Sequence, residues 1–546
     1  MTVANHSAWQ AKIRETLQYR QDTLDKVEPP LESLPSPLPL SSLTLPGAVL
    51  TPREISITEL HTVPELLRKL ASRAFTAEEV TRAFLRRSAI AQHATNCLTE
   101  LLWDDAIERA KYLDSLPSLQ GPLHGLPIST KENQGMRGQG KTCNSGYVAW
   151  IGSPCQPSPL HDMLWDAGCV FIARTTVPQT VMHLETSNNI YGRTVNPANR
   201  NHTCGGSSGG EGALLGMRGS LLGLGGDIGG SIRCPAAFNG VYGYKPTTSR
   251  FPGANSKAHM DGMESVLGVN GPLSTDRQGI EILMQTLLDA RPWRIDPFVY
   301  PQPWVQHRFD RPLKVAVLWS DNIVLPHPPV LRALREVAAA CKSAGMKVVN
   351  WDPLDHARAW DIVSALYFPD GGQDILNLLE QGDESPLPLT KFIINEQASV
   401  KNHSQKTLWE LCKRREEFRA AYAHYWSKTD SGDGNEVDVI LSPAYAGAAP
   451  PHDCARYWGY LAVWNLLDYP AITFPVTKVS AQDNKDDGYV PKNEQDRYNH
   501  DLYDKEKYLG LPVGLQLIAR RNMDERLLAA LALVEDAMEK PTKAHI

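Results

Sequence analysis

The sequence lacks the cysteine patterns of a structural metal site or a disulfide framework. Its nine cysteines are scattered along 546 residues and include no Cys-x-x-Cys pair. Zinc ribbons need such pairs, and the disulfide frameworks of small secreted domains need an even set of cysteines. We therefore expect a protein of a reducing compartment that carries no structural metal.

The sequence also lacks signals for membranes and nucleic acids. No stretch approaches the roughly 18 apolar residues that cross a bilayer, and the N-terminus has no basic segment followed by an apolar run. The formal net charge is −6, and no dense cluster of lysine and arginine offers the contacts that phosphate binding needs. These absences predict a cytoplasmic protein whose partner is a small molecule, with no nucleic-acid or membrane partner.

The composition is that of a large folded protein, with 42% hydrophobic and 21% charged residues. Residues 1–27 predict a polar helix. Residues 28–52, rich in proline, serine and leucine, predict an extended arm packed on the body, a polyproline ligand being the alternative. We divide the chain into this arm, 1–54, and one domain, 55–546, with a solvated polar excursion at 478–508.

Apolar periodicity predicts an α/β fold. Residues 313–318, 330–344 and 346–349 have the patterns of a strand, a helix and a strand, a unit whose two strands pair in parallel. Further apolar runs predict strands at 125–131, 170–174, 219–225, 437–441, 471–476 and 512–518, and helical spacing predicts helices at 408–426 and 524–537.

The candidate chemistry is concentrated in the glycine-rich stretch from Cys204 to Pro235. It contains two serines, Ser207 and Ser231, each set among paired glycines. Glycine lets the backbone pass close to a ligand, so main-chain N–H groups in such a stretch can point at a reacting atom. The stretch therefore predicts the floor of a serine hydrolase site.

Ser231 has the context that suits a nucleophile. A predicted strand ends near Gly225, and a tight loop then leads to the serine. The N–H groups of Ile228, Gly229 and Gly230 can surround an oxyanion that forms beside Ser231, a geometry worth roughly 3–4 kcal/mol per donor. A glycine-rich turn without chemistry is the alternative interpretation.

Ser207 lies in a G-x-S-x-G pattern, but a polar loop precedes it instead of a strand, which argues against the nucleophile elbow of α/β-hydrolases. Ser208 and Glu211 fit a capping box, so we expect a helix to begin here with its N–H groups directed at the serines. A glycine-rich cap without chemistry again stays open.

A serine nucleophile needs a base. The sixteen histidines show no recognisable triad arrangement, whereas Lys131 ends a predicted buried strand. A buried lysine acts as a base if its pKa falls from about 10.4 toward neutrality, and three units of such a fall cost about 4 kcal/mol. A solvated surface lysine is the alternative interpretation.

Residues 135–142 match the P-loop pattern G-x-x-x-x-G-K-[ST], with Lys141 as the phosphate-binding lysine. A P-loop follows a buried strand directly and opens a helix, and the flanking residues suit neither role. An ATP-binding enzyme is thus the alternative from a different class.

Three motifs together resemble the amidase signature family. They are residues 125–131, 206–213 and 226–233, within a match in motif order over roughly residues 55–530. The closest likeness within the family is to fungal acetamidase-type amidases. The resemblance implies a single large α/β domain in which helices surround a mixed, twisted central β-sheet.

The resemblance also implies the roles of the site residues. Ser231 would attack the amide carbonyl and form an acyl-enzyme, Ser207 would relay the proton after a cis peptide bond, and Lys131 would be the terminal base. The further residues that it implies are the oxyanion donors Ile228, Gly229, Gly230 and Ser231, the supporting residues Ser208, Asp227 and Arg233, and the acyl-pocket residues Val181 and Met182.

The resulting expectation is a cofactor-independent amidase that cleaves small aliphatic or aryl carboxamides to a carboxylic acid and ammonia or an amine. A lipid-amide or ester hydrolase of the same family is the alternative. The oligomeric state is left open, with a homodimer as one option.

Overall fold

The computed structural model describes residues 3–31, 34–138, 142–259, 261–430, 432 and 434–539. Within them the α-helices are α1 (Val3–Leu24), α2 (Leu45–Val49), α3 (Pro52–Glu59), α4 (Val63–Ala71), α5 (Ala77–Thr95), α6 (Trp103–Ser115), α7 (Pro159–Asp166), α8 (Gly209–Gly216), α9 (Arg233–Asn239), α10 (Arg277–Asp289), α11 (Pro328–Ser343), α12 (His356–Tyr367), α13 (Gln373–Gln381), α14 (Pro388–Asn395), α15 (Gln405–Ser427), α16 (Gly459–Leu466), α17 (Glu494–Leu502), α18 (Lys505–Tyr508) and α19 (Asp524–Glu539).

The strands of the same residues are β1 (Leu98–Leu101), β2 (Pro127–Lys131), β3 (Val170–Thr175), β4 (Ser187–Asn188), β5 (Gly192–Arg193), β6 (Leu222–Asp227), β7 (Tyr242–Lys245), β8 (Val269–Ser274), β9 (Lys314–Val317), β10 (Lys347–Asn350), β11 (Val439–Pro443), β12 (Ala471–Lys478) and β13 (Pro512–Ile518). Short 3₁₀ helices occupy Val148–Trp150, Gln179–Val181 and Pro292–Arg294.

The described residues form one mixed sheet of eleven strands in the order β1-β3-β2-β6-β8-β7-β12-β13-β11-β9-β10. Strand β2 pairs in parallel with β3 and β6, and β9 pairs in parallel with β10 and β11. The other neighbours in this sheet are antiparallel. The predicted mixed α/β fold is confirmed.

The apolar runs of the sequence form strands because helices cover the sheet. Strands β2, β3, β11 and β13 are buried along their whole length, which is why they lack the alternation of half-exposed strands. The predicted strand–helix–strand unit is β9, α11 and β10, with β9 and β10 parallel. Its helix buries Leu334, Val337 and Cys341 on one face.

The parallel pairing of β2 with β6 determines where the candidate site lies. Ser129 pairs with Gly223 and Thr130 with Leu224. Because parallel strands end at the same edge of a sheet, the last residue of β2, Lys131, and the last residue of β6 lie at one edge. The chain then turns after β6 and enters α9.

The N-terminal segment packs along the body. In α1, Arg20 Nη1 donates to Asn96 Oδ1 at 2.8 Å. Further on, the N–H of Ser42 donates to the carbonyl of Pro197 at 2.8 Å, and the carbonyl of Leu40 accepts from the N–H of Arg200 at 2.9 Å. The boundary proposed after residue 54 falls inside α3, and the division into arm and domain stays a proposal.

The polar segment 478–508, which the sequence predicts to be a solvated excursion, makes several contacts with the body of the domain. It contains α17 and α18, and two buried tyrosines, Tyr503 and Tyr508, lie with ring centroids 4.9 and 5.8 Å from that of His327. Asp496 Oδ1 accepts from the N–H of Leu325 at 2.9 Å. The tyrosines supply the apolar surface that attaches this charged segment to the body.

The P-loop-like pattern lacks its helix. Lys141 lies outside the described residues. Thr142, which follows it, forms an isolated antiparallel bridge with Pro154, and residues 143–147 form no helix. A phosphate-binding loop would open a helix at this point.

Candidate active site

Lys131 and Ser207 are in direct contact in the interior. Lys131 Nζ lies 2.7 Å from Ser207 Oγ in a hydrogen bond, and both side chains are buried. Burial lowers the pKa of Lys131 to about 7, although the negative charges of Asp227 and Glu211 oppose the shift. Near pH 7 about half of the molecules therefore have a neutral Lys131. A general base that works at neutral pH needs a pKa in this range.

Ser207 is held by a backbone that passes close to its neighbours. The Gly206–Ser207 peptide bond is cis. A Cβ atom at Gly206 would lie 2.2 Å from the carbonyl oxygen of Glu185, so only glycine fits this position. The helix α8 begins two residues after Ser207.

The Asp227 carboxylate organises the turn that carries Ser231. It accepts from the N–H groups of Gly230 at 2.8 Å and Ile232 at 3.2 Å, and from Arg233 Nε and Nη2 at 3.0 Å each. Burial alone would raise the pKa of Asp227, but the Arg233 guanidinium holds it well below its ordinary value. Asp227 is therefore ionised and fixes the turn as an acceptor.

The turn is joined to the segment of Ser207. The N–H of Ser208 donates to the carbonyl of Ser231 at 3.0 Å, and Ser208 Oγ lies 3.3 Å from the N–H of Gly226. These contacts bring the two predicted serine segments side by side. The side chain of Ser231 is buried like that of Ser207.

The four N–H groups expected to bind an oxyanion differ in their surroundings. The N–H of Gly230 is engaged by Asp227. The carbonyl of Ile228 accepts from the Tyr367 hydroxyl, which fixes the direction of the peptide between Ile228 and Gly229. A Cβ at Gly229 would lie 2.6 Å from the ring of Trp458, so the turn rests directly on an aromatic wall.

The capping box expected at Ser208 and Glu211 is absent, although α8 begins where predicted. Ser208 is the N-cap residue, but its side chain makes no capping hydrogen bond and contacts the backbone of Gly226 instead. Glu211 turns into the sheet, where it accepts from Ser129 and Thr175. Tertiary partners have replaced the local ones.

Val181 and Met182 lie at the end of the 3₁₀ helix Gln179–Val181. Thr180 and Val181 have φ angles of 68° and 58°, a conformation that β-branched residues rarely adopt. Met182 is buried in the main hydrophobic core. Strain of this kind is concentrated at functional sites, and a role of these residues in the acyl pocket remains a proposal.

Sequence reasoning missed several residues that support the turn. Asn465 accepts from Arg233 Nη2 at 2.7 Å and donates to Asp227 Oδ1 at 3.0 Å. Trp458 contacts Gly229 and also lines a cavity of about 210 Å³ together with Trp360, Tyr457 and Arg456. Asn465 and Trp458 lie more than 200 residues along the chain from the turn, so no local pattern could have linked them to it.

The sequence matches the family description "Amidase" over residues 79–528. The chain belongs to the amidase family. This amidase is 38% identical over 513 residues to the acetamidase of Emericella nidulans, an alignment that covers 91% of this chain and 93% of the relative. It is 36% identical over 498 residues to Amidase 1 of Gibberella moniliformis, covering 89% and 94% of the two chains.

Among solved structures, a fatty acid amide hydrolase matches this amidase with a TM-score of 0.90 and 32% identity, over 98% of this chain and 96% of the other. The protein is therefore a hydrolase that acts on amide C–N bonds. No helix in the described part of this amidase is both long and apolar enough to cross a bilayer. The described residues also contain no group of three or more His, Cys, Asp and Glu side chains that could hold a metal ion.

Proposed function

We propose that this amidase cleaves small aliphatic or aryl carboxamides through an acyl-enzyme on Ser231, with Ser207 and Lys131 as the proton relay. The observation that carries the proposal is the 2.7 Å hydrogen bond between Ser207 and a fully buried Lys131 whose pKa is lowered to about 7. A hydroxyl beside a neutral amine can lose its proton to it, which a serine paired with a charged lysine cannot do.

The proposed first half-reaction breaks the C–N bond. Ser231 Oγ attacks the carbonyl carbon while its proton passes to Ser207 Oγ, and the proton of Ser207 passes to neutral Lys131 Nζ. The tetrahedral oxyanion is stabilised by the N–H groups of the turn, among which those of Ile228, Gly229 and Ser231 are the stronger candidates because Asp227 occupies the N–H of Gly230. The proton then returns through Ser207 to the leaving nitrogen.

The second half-reaction uses the same relay for water. A water molecule attacks the ester carbonyl, its proton passes to Ser207 and from there to Lys131, and the carboxylic acid leaves as the proton returns to Ser231. The enzyme regains its starting protonation state. Ser208, Asp227 and Arg233 contribute by holding the turn and take no part in proton transfer.

Small substrates are favoured by the wall behind the turn. Trp458 and Tyr367 are buried and contact the Ile228–Gly229 region directly. The similarity to acetamidase agrees with a small substrate.

The similarity to fatty acid amide hydrolase supports a second candidate, a lipid-amide or ester hydrolase. The two candidates differ in the length of the acyl chain that they accept. A panel of amides of increasing chain length separates them: kcat/KM that peaks at short or aryl acyl groups supports the first, and kcat/KM that rises steadily with chain length supports the second.

The triad is tested with a serine-reactive fluorophosphonate followed by intact-protein mass spectrometry. We expect one adduct, located at Ser231, which disappears in Ser231→Ala and forms much more slowly in Ser207→Ala and Lys131→Ala. An adduct that persists in Ser231→Ala but is lost in Ser207→Ala would assign the nucleophile to the other serine.

A cytoplasmic location and a homodimer also remain proposals. Fractionation of cells that express the full chain tests the first. Light scattering of the purified protein tests the second, with a mass of 60.4 kDa expected for the monomer and twice that value for the homodimer.

A further inference from the structure

Glu211 is a buried carboxyl group that joins three elements around the candidate base. It lies on α8, four residues after Ser207, and it has no exposed surface. Its Oε2 accepts from Ser129 Oγ at 2.6 Å, and its Oε1 accepts from Thr175 Oγ1 at 2.8 Å. The helix that follows Ser207 is thus tied to β2 and to β3.

The two hydroxyls that Glu211 binds flank Lys131. Ser129 precedes Lys131 by two residues on β2, so both side chains project from the same face of the strand. Thr175 is the register partner of Lys131 on β3. The carboxyl group therefore links the strand that carries Lys131, two residues before that lysine, to the helix that follows Ser207.

The sheet is shaped to admit this carboxyl group. On β6, which lies next to β2, a Cβ atom at Gly223 would lie 2.0 Å from Glu211 Oε2 and 2.6 Å from Ser129 Oγ. Any larger residue at Gly223 would displace Glu211 or Ser129. A glycine at this point of a buried strand costs stability, and the room that it leaves is filled by the Glu211–Ser129 hydrogen bond.

We infer that Glu211 is a positioning residue: by clamping β2 and β3 to α8, its carboxyl group holds Lys131 Nζ within hydrogen-bond distance of Ser207 Oγ. This inference rests on the proposed function, in which Lys131 is the base. Glu211 acts through Lys131 and touches neither the substrate nor Ser231 in this mechanism.

Glu211 also belongs to the small set of charges that act on Lys131. Burial raises the pKa of Glu211 to about 8, against the hydrogen bonds of Ser129 and Thr175 and the charge of Lys131. The acidic groups that act on Lys131 are Glu211 from α8 and Asp227 from β6, and both favour its charged form. Nearby on β3, the Arg174 guanidinium contacts the carbonyl of Glu132 and the thiol of Cys143.

Among the described residues, Glu211 also acts on the thiol of Cys97, just before β1. Burial raises the pKa of this thiol to about 12, so it is neutral wherever the enzyme is active. Glu211 itself is largely protonated near pH 7, so its main action on Lys131 there is through the position of the strands and not through charge.

The test compares Glu211→Gln with a matched control, Asp524→Asn. Glutamine keeps the size of the side chain but has only one acceptor atom, so it cannot accept from both hydroxyls. We expect kcat to fall roughly 10–100-fold with little change in KM, as when a catalytic group is misplaced by a fraction of an ångström. The acid limb of the kcat/KM profile is expected to stay near pH 7, because a carboxyl group whose pKa is raised to about 8 is largely uncharged there and its replacement removes little charge from beside Lys131.

Asp524 is a suitable control because it too is a fully buried carboxyl group that accepts from two hydroxyls, those of Tyr244 and Thr247. We expect Asp524→Asn to lower the Tm without lowering kcat. If Glu211→Gln lowers the Tm in the same way but leaves kcat unchanged, the carboxyl group is only structural and the inference is wrong.

Two further variants keep the test decisive if Glu211→Gln folds poorly. Ser129→Ala and Thr175→Val each remove one of the two hydroxyls, and each is expected to lower kcat more than KM. A double-mutant cycle between Ser129→Ala and Glu211→Gln should be clearly non-additive, because both changes break the same clamp. Full additivity would contradict the inference.

The outcomes also separate this inference from the proposed function. Loss of fluorophosphonate labelling in Ser231→Ala, with unchanged rates in the Glu211, Ser129 and Thr175 variants, would overturn the clamp and leave the triad intact. Full activity of Lys131→Ala would overturn the proposed function and the clamp with it.

Discussion

Replacement of Lys131 by methionine should abolish amide hydrolysis and stabilise the fold. Methionine has a similar length but no charge. The pKa of Lys131 is lowered from 10.5 to about 7 by burial, and at 1.36 kcal/mol per unit this shift corresponds to about 5 kcal/mol of lost stability. The hydroxyl of Ser207 loses its partner in the variant, which costs about 1–3 kcal/mol. A net gain of about 2–4 kcal/mol is expected below pH 7.

The pH dependence of this gain has a definite sign. Because the folded-state pKa is lower than the unfolded one, the unfolded chain binds one more proton than the folded chain between pH 7 and pH 10.5. Wild-type stability therefore rises through this window by about 1.4 kcal/mol per pH unit from this group, and the advantage of Lys131→Met shrinks at the same rate.

The assay is the free energy of unfolding in denaturant for both proteins at several pH values across this window. A matched control is Lys245→Met, because Lys245 is also fully buried and burial lowers its pKa to about 8. Its advantage should begin to shrink only above pH 8, and the variant should still react with a fluorophosphonate. A difference between wild type and Lys131→Met that does not change between pH 7 and pH 10.5 would refute a neutral buried lysine.

Two further predictions follow from the turn that carries Ser231. Asp227→Asn should lower kcat by roughly 10²–10³-fold with a smaller effect on KM. The amide has one oxygen where the carboxylate has two, so it cannot accept from Gly230 and Arg233 as Asp227 does, and the oxyanion donors lose their alignment. Steady-state kinetics tests this, and an effect confined to KM would contradict it. Trp458→Ala should raise kcat/KM for long-chain amides relative to acetamide by enlarging the space beside Gly229; an unchanged ratio across the amide panel would show that Trp458 does not limit substrate size.

Much of the fold could be predicted from the sequence because the central strands are buried on both faces. The run at Pro512–Ile518 forms β13 at the predicted residues, and β9, α11 and β10 form the predicted parallel unit. Such strands appear as short apolar runs between turn residues, a pattern that can be recognised in a single sequence. The mixed order of the sheet came from the family resemblance and not from the periodicity.

The predicted capping box was wrong because the polar side chains involved have partners that are distant in the sequence. Ser208 and Glu211 have the spacing of a capping box, yet Ser208 contacts Gly226 and Glu211 reaches Ser129 and Thr175 on two strands. A capping box is a contact within one helical turn, and at this helix tertiary hydrogen bonds have replaced it. The same reasoning explains why Trp458, far along the chain from Gly229, could not be assigned to the turn.

Asp227 and Lys131 are both buried, and burial alone would shift the pKa of each toward the neutral form. Asp227 nevertheless stays charged at neutral pH, whereas Lys131 is half neutral. Asp227 contacts the guanidinium of Arg233 at 3.0 Å through two separate nitrogens, so its pKa stays low and it remains an acceptor for the turn. Lys131 donates to the uncharged hydroxyl of Ser207 and receives only longer-range support from Asp227 and Glu211. The ion pair with Arg233 therefore keeps Asp227 charged and gives it a structural role. Lys131 has an uncharged hydroxyl as its direct partner instead of a carboxylate, so it can lose its proton near pH 7.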